Sequence, residues 1–166
     1  MHRTAQVRSK LLELGVIDKL SALVTEKVRN DEAEALKEYG IGILANMLSE
    51  ESVKEVYLEE LGINHVTAVL NAAPAEGTRC AAMLMVTNLA YQSASIAEKF
   101  SSGEVYKLVR SYATAGNETQ RVIKRANTAL AVITGEPMAG GVALDTSTLP
   151  CLYKPKFTGY CLDLDV

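Results

Sequence analysis

The chain has 166 residues, 48% of them apolar and 22% charged, with a net charge of -3. That length suits one compact domain or a short array of repeats sharing a core. The acidic balance argues against a dedicated nucleic-acid binder. No run of eighteen apolar residues suggests a membrane span, and Met1 to Gln6 lack the apolar core of a secretory signal.

Aromatic residues make up only 5% of the chain and Trp is absent, while Leu, Ala and Val dominate, which favours helix over sheet. The three cysteines, Cys80, Cys151 and Cys161, have no framework spacing. A reducing, cytoplasmic setting is therefore expected, with a Cys151–Cys161 bridge left open.

Helices are predicted near 5–14, 16–28 and 32–48, then 52–61, 63–72 and 77–91, then 94–101, 104–115 and 118–134. Short stretches end at Gly15, Gly62 and Gly103, each followed by a new apolar-periodic run. Glycine accepts the left-handed conformation that closes a helix, so these positions read as tight corners. The gaps between them are 47 and 41 residues. A polar run, Thr25 to Asp31, explains the longer first gap as an extended loop.

A second ladder runs along the longer helices. Lys37, Arg79 and Arg121 are spaced by 42 residues, as are Asn46 and Asn88. Those helices are apolar over more than one face: Ile41, Ile43, Leu44, Met47 and Leu48 in the first, Met83, Leu84, Val86, Leu89 and Ala90 in the second. Such helices belong in the middle of a stack. A period near 42 with two or three helices per unit falls in the armadillo/HEAT range. The expected fold is all-α, a right-handed superhelix of about three repeats (units 5–48, 50–92 and 93–135).

The pattern stops at Thr134-Gly135-Glu136-Pro137, a strong terminator. Three of the four prolines and four of the eleven glycines lie between Gly135 and Val166. Residues 137–166 are therefore read as a non-helical tail, extended or partly disordered. It still holds Leu144, Leu149, Leu152, Tyr153, Phe157, Tyr160, Leu162 and Leu164, too many large apolar groups for a typical linker. Leu149 to Leu162 are expected to pack in extended form on the third unit or along the groove.

The units resemble armadillo repeats over about residues 5–135, on the helix–Gly–apolar junctions and on Asn46-Met47-Leu48 and Asn88-Leu89-Ala90. The resemblance implies that Asn46 and Asn88 face a concave groove and bond the backbone of an extended ligand. The third unit has Ala129, Leu130 and Ala131 there, so that rung is missing. Gly42 and Leu84 stand where importin-type grooves carry Trp, so nuclear-localisation-signal binding is not implied. The stretch Arg79 to Glu136 is loosely similar to the end of the UCS-type myosin chaperones, which implies a client-binding arm.

Lys37, Arg79 and Arg121 are candidates to line the groove with Asn46 and Asn88, because charges repeated at the repeat period share a face. The bland readings are a solvated helix start for the cations and a buried helix–helix hydrogen bond for the asparagines. From Glu13 to Glu60 there are 12 acidic and 5 basic residues, and from Glu98 to Arg125 there are 3 acidic and 6 basic. Such ends can steer an extended partner or pair with neighbouring repeats. No catalytic residue, metal site or cofactor is expected. His2 and His65 are far apart, phosphate-cradling loops are missing, and Glu50-Glu51 and Glu59-Glu60 diverge around a helix. Cys80 reads as a packed thiol. Leu164-Asp165-Val166 has the form of a carboxylate-terminal recognition motif, which three residues often match by chance. The expected function is a non-catalytic protein-interaction scaffold. The rival is a structural cap from a longer helical-repeat protein.

Overall fold

The computed structural model describes residues 10–26, 30–137, 149 and 153. Described helices are α1 (Val16–Thr25), α2 (Asp31–Met47), α3 (Glu51–Glu60), α4 (Gly62–Asn71), α5 (Glu76–Ala90), α6 (Ala94–Ser101), α7 (Glu104–Thr114) and α8 (Gln120–Thr134), preceded by a helical turn at 10–13. No strand occurs among the described residues. The fold is all-α.

Local chemistry sets the boundaries. Gly15 and Gly62 adopt φ of 61° and 68°, the left-handed region that closes one helix and lets the next begin. Gly103 differs from the expectation. It is extended, with φ -112° and ψ -171°, and caps the start of α7. The reason for glycine there is space, since a Cβ would lie 3.1 Å from the carbonyl oxygen of Lys99. Asn30 caps α2 by accepting the Ala33 N–H at 2.8 Å, and Thr119 caps α8 through the Val122 N–H at 3.4 Å.

Helices three apart in the chain pack on one another: α2 on α5, α5 on α8, α1 on α4 and α4 on α7. Side-chain bonds follow the same rule. Thr78 Oγ1 donates to Glu34 at 2.7 Å and Asn88 Nδ2 to the Ala45 carbonyl at 2.7 Å, joining α5 to α2. Tyr112 donates its hydroxyl to the Leu70 carbonyl at 3.1 Å, joining α7 to α4. The centre of the core is α5, buried continuously from Cys80 to Ala90 between α2 and α8. Its apolar surround had marked it for that place. By contrast α2 exposes Leu36 and Ile43, on the side of the helix away from Glu38 and Ala45.

A second buried knot ties α3 and α4 to α1. Tyr57, fully buried, donates its hydroxyl to His65 Nδ1 at 2.6 Å, and His65 Nε2 faces the Ser21 carbonyl at 3.4 Å. Both contacts fit the neutral ring protonated on Nε2. Burial lowers the His65 pKa from its ordinary 6.5, with the Ser21 contact opposing. Lys54, one turn before Tyr57 on α3, is also buried and donates to the Tyr91 carbonyl at 2.6 Å, closing the end of α5.

Candidate functional site

Two glycines two residues apart divide the work of α2. Gly40 faces α1, where a Cβ would meet Leu23 and Val24 at 3.1 and 3.2 Å. Gly42 faces the other way, and a Cβ there would overlap the ring of Tyr153. The missing side chain makes a slot, and the phenol ring lies in it.

Four residues of α2 grip Tyr153. Asn46 Oδ1 accepts its main-chain N–H at 2.6 Å, and Asn46 Nδ2 donates to its carbonyl oxygen at 3.1 Å. Only one orientation of the amide satisfies both bonds, so its oxygen and nitrogen are fixed by their partners. The Tyr153 hydroxyl donates to Glu38 Oε1 at 2.9 Å. Tyr39 presents its ring edge-on, 6.5 Å between centroids at 66°, a favourable aromatic geometry. Residues 38, 42 and 46 recur every four positions and so form one stripe on the helix.

Glu38 has its own niche. Gly77, in the first turn of α5, leaves room for the carboxylate, which a Cβ at 77 would displace. The helix dipole favours negative charge at that end. Burial, then the Glu38 hydrogen bond and charge, push the Tyr153 phenol well above its ordinary 10.0, with Arg121 opposing weakly. The phenol is a neutral donor at physiological pH, as the geometry requires.

The proposed groove residues separate into different environments. Asn46 is half-buried and bonds the main chain of Tyr153 as described. Asn88 is fully buried and donates to the Ala45 carbonyl. Lys37 is a correction: at 1% exposure its ammonium donates to the Glu26 carbonyl at 2.7 Å, on the α1 side of α2. Burial lowers its pKa, with Glu34 and Glu26 opposing. Arg79 occupies the corresponding place on α5, donating to the Pro74 carbonyl and pairing with Glu118 at 3.2 Å. Arg121 pairs with Glu76 at 3.6 Å across the starts of α8 and α5 and is half-exposed. Lys37 and Arg79 hold the loops that precede their own helices, a structural use the period of 42 could not distinguish from a lined groove.

Sequence reasoning missed Glu38, Tyr39 and Gly42. The available signal was Gly42 itself, a helix-weakening residue in the middle of a long apolar helix. Of the segment expected to pack in extended form, Tyr153 is seated on α2 and Leu149 is 9% exposed. The remaining tail residues, including the 164–166 motif, and residues 5–9 of the helix expected at 5–14 lie outside the described residues.

Among the described residues no group of three His, Cys, Asp or Glu side chains could hold a metal ion, and no helix is long and apolar enough to cross a membrane. Comparison with protein-family models, curated proteins and solved structures finds no match to this chain.

Proposed function

We propose that this chain is a non-catalytic protein-interaction module of the armadillo type, with three units in a right-handed superhelix, and that it holds an extended segment along α2, α5 and α8. The observation that carries this reading is the pair of hydrogen bonds from Asn46 to both main-chain groups of one residue. An amide used this way recognises extended backbone, whatever the side chain. The repeat architecture is supported by the contacts between helices three apart. It is supported too by the inter-helix bonds closing 42 to 44 residues. Solenoids suit such binding because stacked units offer a long continuous surface. The partner is a protein segment, as for a client-binding arm of the UCS kind, in the cytoplasm, with no nucleic acid, membrane or cofactor involved.

Display peptides panned on the Tyr153→Ala chain, against the same chain also carrying Asn46→Ala, test this. Extended peptides should be enriched by the first and lost on the second. Enrichment indifferent to Asn46, or no enrichment, would remove the reading.

A second reading has one observation in its favour. Leu36 and Ile43, at 58% and 44% exposure, share the face of α2 turned away from α5. In a longer array a preceding unit would cover that face, and this chain would be its structural cap. The mass of the native protein on a blot separates the two.

A further inference from the structure

We propose that the slot over Gly42 is a subsite for tyrosine, and that Tyr153 is its resident occupant, which a partner segment must displace. The inference rests on the interaction reading above and specifies its ligand.

The slot is selective at three points. The clamp by Asn46 demands an N–H as well as a carbonyl from the bound residue, so proline cannot stand there. The place of the missing Gly42 side chain is taken by a flat ring, with Tyr39 packed beside it. At its far end Glu38 accepts a hydrogen bond from a hydroxyl at 2.9 Å. A phenylalanine would fill the slot and leave the carboxylate without that donor, which weakens binding. A smaller side chain would leave the slot empty. Tyrosine on an extended chain meets all three conditions.

The occupant seen here comes from the same chain, 107 residues beyond Asn46. Being tethered, it competes at a high effective concentration, so a free peptide meets an occupied site.

A labelled peptide spanning residues 149–157 tests the proposal, titrated under reducing conditions into full-length chains. The Tyr153→Ala chain should bind it about tenfold or more tightly than the wild type, because the tethered competitor is gone. A Tyr153→Phe version of the peptide should bind about tenfold more weakly, and this discrimination should vanish in a Glu38→Ala background. Adding Gly42→Ala should abolish binding with the helical dichroism unchanged. Equal binding of the Tyr peptide, its Tyr153→Phe version and a Tyr153→Ala version, still lost when the chain carries Asn46→Ala, would overturn the tyrosine subsite and leave the main-chain clamp standing. Equal binding by wild-type and Tyr153→Ala chains would overturn the resident occupant. Binding of none of the peptides would overturn both this inference and the reading on which it rests.

Discussion

Lys37 and Asn46 leave α2 in opposite directions. The ammonium of Lys37 reaches the Glu26 carbonyl, and the amide of Asn46 reaches the main chain of Tyr153. Nine residues are two and a half turns of helix, which puts the two side chains half a turn apart. The α1 side of α2 therefore carries Lys37, and the opposite side, beside the packing on α5, holds the chain at Tyr153.

Replacing Lys37 by Met keeps the buried stem and removes the donor. The Glu26 carbonyl then loses its partner, and the chain should lose about 1–3 kcal/mol of stability by denaturant titration. The docking of Tyr153, followed by exchange of its amide, should be unaffected.

Asn46 and Asn88 should part company on truncation to alanine. Asn88 is fully buried against the Ala45 carbonyl, so its loss should cost about 1–3 kcal/mol of global stability. Asn46→Ala should shift the melting temperature little and expose the Tyr153 amide to rapid exchange.

The half-buried His65 gives the module a sensitivity to acid. Its folded pKa lies below the ordinary 6.5, so the unfolded chain takes up the proton first as pH falls. Stability contributed by the neutral ring is complete above about pH 6.5 and declines as pH drops toward the folded pKa. The melting temperature should fall between pH 7 and 5 more steeply in the wild type than in His65→Gln. Parallel curves would show that other groups carry the dependence.

Gly42→Ala should separate folding from docking. Alanine is the better helix former by about 1 kcal/mol, so the core helix gains. The new methyl overlaps the Tyr153 ring, so the docked residue leaves. An equal or higher melting temperature, with loss of Tyr153 amide protection, is the expected pair of results.

Much of the helical layout could be read from the sequence because its signals are local. Gly15 and Gly62 close helices by their own backbone freedom, and the apolar surround of α5 requires neighbours on both sides. The groove residues were harder for a definite reason. A period of 42 identifies equivalent positions in successive units, yet says nothing of the direction in which each points. Lys37 and Asn46 share the period and differ in helical phase. That phase was calculable, whereas the pairing of Asn46 with Tyr153 was not, since no local pattern joins residues 107 apart.

The separation of those two residues has a kinetic meaning. Bonds linking α1 to α4, α2 to α5 and α4 to α7 each close 42 to 44 residues. The Asn46–Tyr153 clasp closes 107. Loop-closure entropy grows with the logarithm of length, so the clasp costs about 0.8 kcal/mol more to bring together. It is also made by few groups at a half-buried site. The helices can therefore assemble neighbour by neighbour before it closes, and it can open while they stay packed. Such a clasp exchanges on its own clock, so a competitor can reach the slot without any helix melting.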